Sequence, residues 1–223
     1  YYFIFGVILH ASRGMSHDVY IPFLVTGVFV FTFTQSSVMS GVRAISGNLG
    51  LVRALHFPRA SLPVSFSLQQ LQQLLFSMAA LVVILLCFGV PVSASWLLVI
   101  PALILQFTFN AGVAMIMARW GAKTHDIAQL MPFILRTWMY VSGVMWSIEK
   151  LTKNDHLPHI VTVLLQTNPA AVYIDLMRFA LIDSFHAKQL PPHVWPIAIG
   201  WALLAGVGGF IYFWKAEETY GRG

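Results

Sequence analysis

Residues 62–88 read LPVSFSLQQLQQLLFSMAALVVILLCF, and no charged side chain interrupts them. A helix crosses a bilayer with roughly 20 apolar residues, and this run exceeds that length. The turn-forming stretch GVPVSAS (89–95) stops it. A second apolar run follows from Trp96 to about Ala118, then a short basic loop, RWGAKTHD (119–126), and a third run from Ile127 to about Trp146. Upstream, a mixed stretch (43–61) precedes it, and before that an apolar run from Val19 to Val42 and a polar stretch, HASRGMSHD (10–18). The opening YYFIFGVIL (1–9) reads as the tail of a span whose beginning precedes Tyr1. Downstream, 147–192 is neither clearly spanning nor clearly soluble. A last run covers His193 to Trp214, and the tail reads KAEETYGRG.

Open backbone cannot face lipid, and runs of twenty apolar residues favour helices over barrel strands. The expected fold is therefore an all-α integral membrane protein. It has six transmembrane helices, the first truncated, in a single domain over 1–223. The composition agrees: 58% of residues are hydrophobic and 9% charged, with a mean hydropathy of +0.75. A water-soluble globule needs more polar surface than this. That excludes a cytosolic enzyme, a secreted disulfide scaffold and a disordered tail. The single cysteine, Cys87, cannot form an intrachain disulfide. The net charge of +5 is spread along the chain and suggests no nucleic-acid partner.

Basic residues orient the spans. Arg43, Arg53, Arg59, Arg119, Lys123, Lys215 and Arg222 fall in one set of connections. Arg13, Lys150, Lys153 and Lys188 fall in the other, with Arg178 inside the long segment. This bias places 43–61, 119–126 and the C-terminus in the cytoplasm, and 147–192 outside.

Within the first of these loops, NLGLVRALHFPR (48–59) has helical spacing, with Leu51, Leu55 and Pro58 on one side and Arg53 and His56 on others. Asn48 suits the helix start, and Pro58 would end the helix near His56. Such a helix is either an interfacial anchor on anionic lipid or a docking element for a cytoplasmic partner. In the long outer segment, HLPHIVTVLLQ and AAVYIDLMRFALIDSF flank Thr167-Asn168-Pro169. Neither is long enough to span. Asn168 with Pro169 suits a turn followed by a first helical residue, and Asp175 and Arg178 can pair three apart. The segment is either a folded loop on the membrane or a re-entrant helical hairpin.

The loop GNLGLVRALHFPRASLPVS resembles that of ABC-2 type export permeases, in particular those exporting O-antigen, teichoic acid and galactan. The matching positions are Asn48, Leu51-Val52-Arg53, Phe57-Pro58-Arg59 and Leu62-Pro63. The resemblance implies a coupling helix, fitting a separate ATPase subunit, that includes Leu55. Ala54-Leu55-His56 departs from the second basic residue and aromatic of many relatives. Asn168, Pro169, Tyr173 and Arg178 match the family's outer segment, which implies a hairpin closing the outer mouth of the channel, with Asp175 beside Arg178. The ending FWKAEETYGRG is similar to actinobacterial galactan exporters.

Within the spans, Arg136 is expensive at membrane depth and needs a cavity or a partner. Gln69, Gln72 and Gln73 form a polar stripe, and Gln106 and Asn110 are suited to interhelical hydrogen bonds. In the relatives aromatics line the channel, so Phe29, Phe33, Trp138 and Tyr140, with Arg136, are its candidate lining here. Ala202/Gly206 and Ala205/Gly209 allow close helix approach.

The chain has no G-x-x-x-x-G-K-[ST] phosphate loop. ATP and Mg would then sit on the partner subunit, with no cofactor in this chain. The eight histidines show no metal-ligand spacing, and no catalytic motif appears. An ion-coupled carrier would need acidic groups at mid-span, and a membrane enzyme would need paired catalytic groups. The expected function is the channel-forming subunit of an ATP-driven exporter of lipid-linked polysaccharide in the bacterial cytoplasmic membrane. Its expected partners are a second copy of itself, two copies of an ABC ATPase, the glycan substrate and membrane lipids. The rival is a permease of the same type for a small drug or lipid.

Overall fold

The computed structural model describes residues 17–54, 57–124, 126–148, 158–182 and 193–217. Among them every regular element is helical. Helix α1 (His17–Arg43) is followed by a 3-10 turn (Ser46–Asn48) and the short α2 (Leu49–Ala54). Then come α3 (Ser61–Cys87), a 3-10 turn (Ala94–Leu98) leading into α4 (Val99–Lys123), and α5 (Ile127–Val141). Helices α6 (His159–Thr167) and α7 (Pro169–Leu181) precede α8 (Val194–Trp214).

Among the described residues four stretches are long and apolar enough to cross a membrane: Tyr20–Arg43, Ser61–Cys87, Ala94–Lys123 and Val194–Trp214. The pair α6 and α7, bent by 65°, gives a fifth if it counts as one broken span. Of the six expected spans, one lies outside the described residues and one ends short. The first, 1–9, lies outside the described residues, as do Arg13, 149–157, Lys188 and Arg222. The fifth, expected to reach Trp146, stops at Val141 after 15 residues, a rise of only about 22 Å. The break has a backbone cause: Gly143 adopts φ 65°, a left-handed conformation that a helix cannot continue through. Trp146 turns back, its indole N–H donating to the Tyr140 carbonyl at 2.9 Å.

Three hydroxyl residues within these apolar helices bond back to their own backbone. Thr32, Ser67 and Thr108 donate to the carbonyls of Val28, Pro63 and Ile104 at 2.7, 2.9 and 2.9 Å. The polar group is thereby satisfied without a partner helix.

The chain forms two compact units. One comprises Phe33–Gln73, Ile104–Arg136 and Ile199–Gly223, and the other Tyr1–Thr32, Leu74–Leu103 and Thr137–Ala198. In the first, small residues let backbones touch. A Cβ on Gly112 would land on the carbonyl of Ala205, one on Gly209 on the carbonyl of Gly112, and one on Gly121 on the carbonyl of Val42. Gln106 donates to Thr34 Oγ1 at 3.2 Å, as expected of an interhelical polar residue; Asn110 is buried with no hydrogen-bond partner among the described residues. These contacts ascend together in residue number, so α1, α4 and α8 run in the same direction here. Their ends meet the start of α3 in one apolar cluster that includes Ala44, Ile45, Ala60, Leu62, Ala118 and Phe213. The basic segments carrying Arg43, Arg53, Arg59, Arg119, Lys123 and Lys215 therefore share one end of the unit. Gly112→Val is expected to overpack the α4–α8 contact by about 1–3 kcal/mol or more. Gly200→Ala, with nothing within 4 Å of the added atom, should leave the melting temperature unchanged; melts in detergent compare the two.

In the second unit, α7 is buried along nearly its whole length, from Ala170 to Leu181 apart from Phe179. Ser95 Oγ donates to the Ala180 carbonyl at 2.9 Å, holding the 3-10 turn to the end of α7. Helix α6 instead exposes Ile160, Val161, Val163 and Leu164.

Candidate functional site

The basic end carries α2, whose six residues divide sharply. Val52, 3% exposed, roots the helix in the apolar cluster, while Leu49, Leu51, Arg53 and Ala54 are exposed. Asn48 does not cap α2. It ends the preceding 3-10 turn, and its amide donates to the Ala44 carbonyl at 2.9 Å, so it satisfies a carbonyl left open at the end of α1. Helix α2 extends to Ala54; Leu55 and His56 lie outside the described residues. Phe57 is half-buried and packs on the cluster. Pro58 places its carbonyl to accept the Ser61 N–H and hydroxyl, at 3.0 and 2.7 Å, which starts α3. Arg59 donates its backbone N–H to Glu217 Oε1 at 3.0 Å and its guanidinium to the Glu217 carbonyl. Of the eight residues assigned to coupling by sequence, Leu51 and Arg53 thus face out beside the exposed Pro58. Val52, Phe57 and Arg59 face into the chain's own packing. Glu217 had no signal in the sequence beyond being a carboxylate in a tail.

The second region is the bend between α6 and α7. Asn168 caps α7, its Oδ1 accepting the Ala170 N–H at 3.2 Å with Pro169 at the first helical turn. The same oxygen accepts the Trp138 indole N–H at 2.9 Å, and Asn168 Nδ2 donates to Ser142 Oγ at 3.1 Å. The Trp138 ring meets Phe31 edge-on at 5.9 Å. One asparagine therefore ties the bend to the last turn of α5.

Arg178 completes this tie. It is 1% exposed. Its Nε donates to the Phe23 carbonyl at 3.2 Å, Nη1 to the Gly143 carbonyl at 3.0 Å and Nη2 to the Val144 carbonyl at 2.8 Å. Nη1 also lies 3.4 Å from Asp175 Oδ1, the expected i,i+3 pair. The guanidinium stacks over the Phe23 ring, 3.3 Å from its centroid. Gly27 leaves the space: a Cβ there would sit 2.6 Å from Nη2. Tyr173, 1% exposed, donates to the Ala198 carbonyl at 2.9 Å. The side chains Tyr173, Asp175 and Arg178, candidates from sequence for an outer gate, are thus buried and hold α7 to its neighbours. Sequence reasoning missed their partners Phe23, Gly27, Gly143 and Val144.

The expected channel lining also divides. Phe33 is buried and Phe29 half-buried in the chain's own packing, and Trp138 is committed to Asn168. Arg136 and Tyr140 are exposed. Arg136 shares one line down α5 with Gln129 and Phe133, at i, i+4 and i+7, and all three are exposed.

Apolar helices of spanning length, joined by a short rooted helix at a basic end, define a multi-pass membrane protein. Residues 1–182 match the family described as ABC-2 type transporter, and the chain belongs to that family of membrane transport proteins. It is 24% identical over 175 residues to an O-antigen export system permease protein RfbA of Klebsiella pneumoniae, covering 78% of this chain and 64% of that protein. A protein of the same name from Myxococcus xanthus is 22% identical over 129 residues, covering 58% and 50%. The chain thus spans less than two thirds of the length of these curated relatives.

Proposed function

We propose that this chain is the membrane subunit of an ATP-driven exporter of lipid-linked polysaccharide in the bacterial cytoplasmic membrane. Two copies work with two copies of a cytoplasmic ATPase that carries ATP and Mg. The observation that carries this reading is the build of α2: an exposed face of Leu49, Leu51 and Arg53 on a helix rooted through Val52. A push on that face is delivered to a cluster shared by α1, α3, α4 and α8. In this reading the basic end is cytoplasmic, the bent pair lies at the outer mouth, and α2 is the coupling helix.

The glycan assignment draws on the relatives' names and on α5. An arginine cannot face lipid at membrane depth without a polar cover, so the Gln129, Phe133 and Arg136 line belongs on a water-filled path. Amide, aromatic ring and guanidinium there offer a sliding surface for sugars and a cation for phosphate. Arg136→Gln is expected to leave the exposed position folded, with stability within about 0.5 kcal/mol of the parent, and to reduce export of an anionic glycan several-fold. The test of the whole reading is co-purification with an ATPase subunit whose hydrolysis rises with lipid-linked glycan. An ATPase stimulated by small drugs and indifferent to glycans would replace it with the small-substrate permease.

A further inference from the structure

A groove at the end of α8 takes no part in the sites above. It encloses about 260 Å³ and is lined by Phe210, Ile211, Trp214 and Lys215. Helical spacing makes it: 210 with 214 and 211 with 215 are i,i+4 neighbours on one face. The Phe210 and Trp214 rings lie 5.6 Å apart, tilted by 37°, and form its wall. Phe210, Ile211 and Trp214 are 44, 48 and 54% exposed, so no described segment of the chain covers them.

Helix α8 has 21 residues, a rise of about 31 Å, which matches a hydrocarbon core of about 30 Å. Lys215 then stands at headgroup level and the groove lies just below, among acyl chains. Among the described residues no carboxylate pairs with Lys215, and Glu217, two residues on, is bonded to Arg59. A second cation stands at the same end. Arg119 lies over the Tyr212 ring, 4.0 Å from its centroid, and donates to the Tyr212 carbonyl, while Trp120 donates to the Tyr212 hydroxyl at 3.0 Å. The end of α4 is thereby pinned beside the groove.

We propose that this groove binds an anionic phospholipid of the membrane, one acyl chain lying against Phe210, Ile211 and Trp214 and the headgroup phosphate on Lys215. Its volume is below the roughly 300–1,000 Å³ that encloses a whole small ligand, which suits a piece of a chain continuing into the bilayer. A second copy of this chain fits the groove less well, because a twofold contact centred on it brings like cations together. An amphipathic aromatic pair with a cation at its polar end is what an interfacial lipid contact requires.

The test uses the protein purified in detergent, with lipid retention read by native mass spectrometry. Phosphatidylglycerol and phosphatidylcholine of the same acyl chains are offered in equal amounts. The parent should retain phosphatidylglycerol about fivefold over phosphatidylcholine, the preference one interfacial lysine confers. Lys215→Gln should bring that ratio near one, Lys215→Arg should keep it, and Phe210→Ala with Trp214→Ala should lower retention of both lipids. Equal retention by the parent, or an unchanged ratio in Lys215→Gln, overturns the proposal. So does displacement of phosphatidylglycerol by equimolar polyprenyl phosphate, which would make the groove a substrate site. A photo-crosslinker at 210 that captures a second chain instead of lipid overturns it as well.

Discussion

Arg178→Met should cost about 3–5 kcal/mol, the loss expected when one partner of a buried charge pair is removed. Three carbonyls, on Phe23, Gly143 and Val144, lose their donors at once. Asp175, 7% exposed, is left without its cation. Melting of the purified protein in detergent reads the loss. Arg178→Lys should recover little, because a point-like ammonium cannot replace a planar fork serving three separate carbonyls. The double variant Arg178→Met with Asp175→Asn should melt above the single Arg178→Met, since the uncompensated carboxylate is gone. Gly27→Ala should reproduce part of the loss from the other side, its Cβ placed 2.6 Å from Nη2 and 2.9 Å from the Val144 carbonyl. A parental melting temperature for Arg178→Met would show that these bonds do not hold the bent pair.

What sequence could and could not reveal follows from distance along the chain. Asn168 and Pro169 were legible because a cap and a first-turn proline act on the next two residues. Asp175 and Arg178 were legible as an i,i+3 pair. The carbonyls that receive Arg178 lie 34, 35 and 155 residues away, and a backbone carbonyl leaves no mark in a sequence. The end of α5 was hidden for a related reason. Gly143 is followed by Val-Met-Trp, so the apolar pattern runs on while the backbone turns. Ala205 and Gly209 announced a close approach, but their counterpart Gly112 looked like any glycine in a span. Asn48 carries both a donor and an acceptor, and only the placement of Ala44 shows which one is used.

Sequence spacing does not separate the exposed face of α2 from its buried one, and their separation in the structure allows a sharper experiment. Leu51→Asp with Arg53→Glu alters only exposed positions, so expression and melting should stay near parental values. If α2 docks on the ATPase, two such anchors together contribute up to about 4 kcal/mol, roughly a thousandfold in Kd. Capture of the ATPase and ATP-dependent export should then fall to background. Val52→Asp should do the reverse in order of cause, burying a carboxylate among Ile45, Leu62 and Phe213 and losing the folded protein first. Phe57→Ala belongs with Val52, since its ring packs on the same cluster. An α2 that merely rests on anionic lipid predicts a different split, in which Arg53→Glu weakens vesicle binding and leaves ATPase capture intact. Parental export from the Leu51→Asp, Arg53→Glu variant would mean that the force enters this subunit somewhere else.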